Sequence, residues 1–252
     1  MFDSMPHQFG PLAGLILVFL LAGFVKGAIG MGLPTVAMGF LTLLMPPAAA
    51  AAILILPSFV TNVWQLATGP QLAALLRRLW PMQAAVALGT IGGAQLFGTV
   101  NSPIAVAALG AALALYALSA LLPQRLSVSA RHEIWLGPLT GAVTGLVTAM
   151  TGVFVIPAVP YLQALELDRD DLVQALGLSF TVSTVALAIA LAEDSAFHWS
   201  DLPATLIALV ASFVGMMLGQ AVRTRMRPET FRIWFLVGLL LLGAHLMLRA
   251  VL

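Results

Sequence analysis

Polar residues in this chain gather in short clusters. Between them run apolar stretches rich in leucine and alanine, with no period-two alternation. That pattern predicts membrane-spanning helices and no strands. A span needs about 20 apolar residues to cross about 30 Å of hydrocarbon. Six stretches fit simply, roughly 48–68, 80–99, 102–122, 171–192, 202–222 and 229–251. Two others, 11–45 and 134–165, run for more than thirty residues each, with Lys26 their only charge. The first is broken by Gly27-Ala28-Ile29-Gly30-Met31-Gly32-Leu33-Pro34, the second by Thr148-Ala149-Met150-Thr151-Gly152 with Pro157 soon after. Each is expected to form two shorter helical pieces.

Composition agrees with this reading. Of 252 residues, 61% are hydrophobic and 8% charged, and the mean hydropathy is +1.04; a soluble domain is about half apolar and a quarter charged. So few charges cannot clothe a soluble fold, which leaves an all-α integral membrane protein and excludes soluble enzymes and secreted domains. A net charge of +1 offers no basic patch for nucleic acid. With no cysteine there is no disulfide framework and no thiolate nucleophile or metal site. No lysine or arginine precedes the first apolar run and no clear cleavage site follows it, so a removable signal peptide is not expected.

Charge placement decides how the broken stretches run. If each crossed once, Arg77, Arg78, Arg125, Arg131 and Arg249 would face one side, and Arg169, Arg223, Arg225, Arg227 and Arg232 the other. Five against five violates the positive-inside rule. If each stretch turns back, as a re-entrant hairpin or two short spans, nine arginines share one face and only Arg249 is left opposite. The arginine-rich face is then cytoplasmic, both termini are external, and so is the loop carrying Glu193, Asp194, His198 and Asp201. The expected setting is a bacterial inner membrane.

Landmarks recur at an offset of about 122 residues. Pro34 to Pro81 is 47 residues and Pro157 to Pro203 is 46; Pro81 to Gly93 and Pro203 to Gly215 are both 12. After each break comes a helix with central hydroxyls, Ser58 and Thr61 in one copy, Ser179, Thr181, Ser183 and Thr184 in the other. The next segment of each copy holds a Gly-x-x-x-Gly, Gly89 with Gly93 and Gly215 with Gly219, read as close helix packing. An odd number of crossings per copy inverts the second copy relative to the first. The expected fold is therefore two inverted repeats, 1–126 and 127–252, each with a broken or re-entrant first segment followed by three spanning helices. This is a recurring plan of secondary transporters, with the substrate at the repeat interface.

Candidate chemistry centres on the breaks. Lys26, the chain's single lysine, lies beside the glycine run, where a charge is costly unless it meets a cavity, a partner or the interface. It either snorkels to a surface or pairs with an anion. Gly27, Gly30 and Gly32 permit irregular backbone and Pro34 suits the first turn of a half-helix, whose amides attract oxyanions. Thr148, Thr151, Gly152 and Pro157 would do the same from the other copy; the alternative is simple relief of strain at a kink. Ser58, Thr61, Asn62 and Gln65 form one polar stripe, and Gly177, Thr181 and Thr184 a weaker one. Either stripe serves interhelical hydrogen bonding or lines a substrate path.

Other chemistry is unsupported. No carboxylate lies well inside an apolar stretch, so no embedded proton relay is expected. His245 reads as a satisfied or interface-facing side chain. Glu166, Asp168, Asp170 and Asp171 fall in a short loop before a helix, where Asp170 and Asp171 suit its first turn better than a metal. The phosphate-binding, zinc-protease and serine-hydrolase motifs are missing, so neither an ATP-driven pump nor an enzyme is expected, and no cofactor.

The glycine-broken first segment ending in proline, followed by a helix with a central Ser/Thr cluster and repeated once, resembles the TauE/SafE family of sulfite and organosulfonate exporters. In that family a glycine-rich motif opens each half; here Gly27 through Pro34 looks like it, and Thr151-Gly152-Val153 through Pro157 more faintly, with fewer glycines. The resemblance covers nearly the whole chain. It implies export of sulfite, sulfoacetate or a similar sulfur-containing anion, with Lys26, Gly27, Gly30, Gly32, Pro34, Ser58, Thr61, Asn62, Thr148, Thr151, Gly152, Thr181 and Thr184 as candidate substrate contacts. The expected partners are a small anion and the lipid bilayer, with a homodimer left open. An anion channel and a non-transporting assembly or anchor subunit are the alternatives.

Overall fold

The computed structural model describes residues 6–100, 104–122, 127–223 and 228–251. Arg125, Arg225 and Arg227 of the charge count, and the expected repeat boundary at residue 126, lie outside them. The described residues fold into helices alone: α1 (Pro6–Ile29), α2 (Leu33–Leu41), α3 (Pro47–Ala67), α4 (Leu72–Phe97), α5 (Ala105–Leu121), α6 (Ala130–Thr151), α7 (Ala158–Ala164), α8 (Arg169–Glu193), α9 (Leu202–Arg223) and α10 (Pro228–Val251), with a 3-10 turn at Trp199–Asp201. Among them, six are long and apolar enough to cross a membrane: α1, α3, α6, α8, α9 and α10.

The expected spans at 48–68, 102–122, 171–192, 202–222 and 229–251 match α3, α5, α8, α9 and α10 closely. The span at 80–99 belongs to a longer helix, because α4 begins at Leu72 and carries Pro81 inside it. Hydropathy misses its opening turns because Arg77 and Arg78 lie in the second of them. Arg78 donates to Glu133 of α6 at 2.6 and 2.9 Å. α4 is otherwise too polar to qualify as a span, since Gln83, Thr90, Gly89 and Gly93 lie along it; Gln83, Thr90 and Gly93 are buried in the bundle.

Both broken stretches divide unequally, into one full-length helix and one short return. α1 is about 36 Å long at 1.5 Å per residue and α2 about 14 Å. Gly32 holds the turn between them at φ 110°, a left-handed conformation that costs a side-chain-bearing residue heavily. The chain then climbs back beside α1, and Leu44 packs against Gly14. In the second stretch Gly152 ends α6 at φ 69°. The chain returns through residues 153–157 and α7 until the Ala164 carbonyl accepts the Val128 amide just before α6 begins, at 2.9 Å.

The remaining packing follows from small residues. α1 and α9 run parallel, with Gly23 against Ser212, Gly27 against Met216, and Gly215 and Gly219 against Leu20 and Phe24. A methyl group on Gly215 or Gly219 would collide with a carbonyl oxygen of α1, so both Gly-x-x-x-Gly pairs are interface surfaces, the other serving α4 against α6. α4 and α6 are likewise parallel, with Gly141 at Met82 and Gly145 at Val86. α5 and α10 cross antiparallel at Gly110 and Gly243, while α3 and α8 cross antiparallel through Leu66 and Gly177. Leucines cover the outside, Leu88 at 73% and Leu96 at 77% exposure, while Thr61, Asn62, Ser179 and Ser183 are fully buried. Polar groups inside and apolar groups outside is the arrangement that lipid requires.

Candidate functional site

Lys26 is 3% exposed and turns from α1 toward α3. Its ammonium donates to the Thr61 hydroxyl at 3.1 Å and to the Asn62 side-chain carbonyl. The Asn62 amide in turn donates to the Thr184 hydroxyl of α8 at 3.3 Å. Four sequence-level candidates from three helices thus form one buried chain, and Asn62 and Thr184 stand 122 residues apart. The alternative in which Lys26 snorkels to a surface is excluded by its burial.

The partners of Lys26 are neutral, and among the described residues no carboxylate pairs with it. A protonated Lys26 held by neutral oxygens has no counter-charge, and an anion is the group that would supply one. The threonines are equipped to accept rather than donate. Thr61, Thr148, Thr151, Thr181 and Thr184 each send their hydroxyl proton back to a carbonyl one turn earlier, at 2.6–2.7 Å. Donors for an anion therefore come from Lys26 and from serines. The hydroxyls of Ser58, Ser179 and Ser183 are buried without a partner among the described residues. Ser179 and Ser183 lie one turn apart on α8, the helix that brings Thr184 to Asn62.

The other candidates have separate neighbours. Gly27 packs against α9, and Gly30 sits beside Val173 of α8. Gly32 caps α2 and Pro34 occupies its first turn, as expected of a half-helix start. That break lies level with Gln65, whose amide nitrogen donates to the Gly30 carbonyl at 3.0 Å and to that of Val173 at 2.9 Å. Gly152 meets the Met38 side chain of α2. Thr151 accepts the Val153 amide at 3.1 Å, so the hydroxyl satisfies its own loop. Thr148 is buried with its hydroxyl turned to Thr144. Gathering is thus strong around α3 and α8 and weak around the second break. His245 is exposed on α10, and Asp170 and Asp171 occupy the first turn of α8.

A family model described as Sulfite exporter TauE/SafE matches residues 15–246. No curated protein is significantly similar to the chain. No solved structure is significantly similar to it.

Proposed function

Because the chain belongs to the TauE/SafE family of sulfite exporters, a family of membrane transporters, we propose that it carries a small sulfur-containing anion, sulfite or a short sulfonate such as sulfoacetate, outward across the inner membrane by alternating access. The observation that carries this reading is the buried Lys26 ammonium with neutral partners, set where α1, α3 and α8 converge. A sulfonate or sulfite oxygen takes the charge of Lys26, and the serine hydroxyls of α3 and α8 serve its remaining oxygens. Export is the electrically easier direction, since an anion leaving a negative interior gains about 2.3 kcal/mol per charge per 100 mV.

The alternating mechanism would draw on two inverted repeats. Exchanging α1–α5 for α6–α10 maps the α1 with α9 packing onto α6 with α4, and maps the α3 with α8 and α5 with α10 crossings onto themselves. The parallel and antiparallel senses of those pairs agree with a second copy that runs the opposite way. The orientation this reading takes has the arginine-rich face cytoplasmic, with Arg249 opposite and both termini external.

Thermal-shift binding on detergent-purified protein tests the proposal, because a ligand of the native state raises its apparent stability by mass action. Sulfite, sulfoacetate, taurine, sulfate and acetate are compared. Stabilisation by a sulfur anion and not by acetate is expected; no shift with any sulfur anion would favour an assembly or anchor subunit.

A further inference from the structure

A cavity of about 260 Å³ lies among the ends of α1, α8 and α10. Its lining includes Arg169, Arg232, Gln163 and Tyr116, with Met31 and Val173. Arg232 donates to the Ala120 carbonyl at 3.1 Å. Among the described residues, neither arginine forms an ion pair with a carboxylate. Two guanidinium groups on one hollow focus a positive field and present planar donor forks suited to an oxyanion. The volume suits a small ion, falling below the about 300–1,000 Å³ of pockets for drug-sized ligands.

The cavity adjoins the Lys26 site. Gln65, 7% exposed, spans the gap between the Gly30 and Val173 carbonyls, and Val173 is part of the cavity lining. The Gln65 side-chain oxygen is buried and has no partner among the described residues. Three and four residues before Gln65, on the same face of α3, are Asn62 and Thr61, which hold Lys26. One polar side chain therefore separates the two cationic places.

We propose that this cavity is a receiving site for small oxyanions, where Arg169 and Arg232 capture the substrate at the arginine-rich face, and that Gln65 is the partition it passes to reach Lys26. The proposal deepens the transport reading and rests on it for the identity of the anion. Its charge selectivity can be read without transport. The chain has no cysteine, so Gln163→Cys supplies a single thiol. Its rate with the anionic sulfonatoethyl methanethiosulfonate is compared with that of the cationic trimethylammonioethyl reagent, each relative to a free thiol in solution. Leu172→Cys, on the same cavity, repeats the measurement if the first variant does not fold.

The expected result at low salt is a preference of about tenfold or more for the anionic reagent, falling toward parity when Arg169→Gln and Arg232→Gln are added. A preference that is absent, or that survives both arginine changes, overturns the receiving site. Sulfite and sulfoacetate efflux from proteoliposomes provides the second arm, in which the two arginine changes raise KM severalfold with kcat kept. An intact charge preference with no flux of either anion would overturn the transport reading and leave the cavity assignment standing. Normal flux without charge preference would do the reverse.

Discussion

At the residue scale, Lys26 can be separated from the scaffold that holds it. Lys26→Met removes a buried cation and leaves the Asn62 side-chain oxygen without its donor, a cost of about 1–3 kcal/mol. The variant should remain folded, melting somewhat earlier than the parent, while losing at least about tenfold in anion affinity, or about 1.4 kcal/mol. Titration by thermal shift reads both quantities, and an unchanged affinity would remove Lys26 from the site. Asn62→Leu removes one of the two acceptors of the Lys26 ammonium and the donor to the Thr184 hydroxyl, while Lys26 keeps Thr61 and Thr184 keeps the Phe180 carbonyl; the two lost hydrogen bonds should make the unliganded protein melt earlier. Lys26, Thr61, Asn62 and Thr184 were legible in sequence because each is polar where its neighbours are apolar. That the threonine hydroxyls donate to their own helix was not legible, because their rotamers are set by packing.

Among the elements, glycine divides into positions that touch another helix and positions that touch nothing. Gly219→Leu would drive a side chain into the α1 backbone at Phe24 and should abolish the monodisperse peak in size-exclusion chromatography. Gly92→Ala faces open space on α4 and should keep that peak, with stability raised by up to about 1 kcal/mol through helix propensity. Gly32→Ala forces a side chain into the left-handed region and should cost about 1–3 kcal/mol in thermal stability. Apolar run lengths located α3, α5, α8, α9 and α10 to within a few residues. They could not divide the broken stretches, because hydropathy does not register where a helix bends. The unequal lengths of α1 and α2 follow from left-handed glycines at 30 and 32, near the end of the run's first long helix. The start of α4 escaped notice for the opposite reason, since its second turn holds Arg77 and Arg78.

For the whole molecule, the proposed orientation yields a labelling pattern. In intact cells a cysteine at Ser195, in the loop after α8, should react with an impermeant maleimide, and one at Ser129, just before α6, should react only after the membrane is opened. The reverse pattern would place the arginine-rich face outside and overturn the topology. A saturable flux that shows counter-flow would separate a carrier from a channel. Recurring prolines and glycines suggested a duplicated plan, but the packing partners of the helices were not legible, because which helix meets which depends on contacts far apart in sequence. The cavity at Arg169 and Arg232 was hidden for the same reason: its residues come from α1, α5, α7, α8 and α10.

The neutral surroundings of Lys26 have an electrical corollary for the proposed cycle. With a monoanion bound, the interior carries no net charge, so the loaded protein changes its access without working against the membrane voltage. Empty, it carries one positive charge, and resetting toward a negative interior is assisted by up to about 2.3 kcal/mol per 100 mV. Voltage would then set the pace of the empty return and leave substrate delivery untouched, so pre-steady-state currents should appear during resetting. With a dianion the assignment reverses, and the current moves to the loaded half of the cycle.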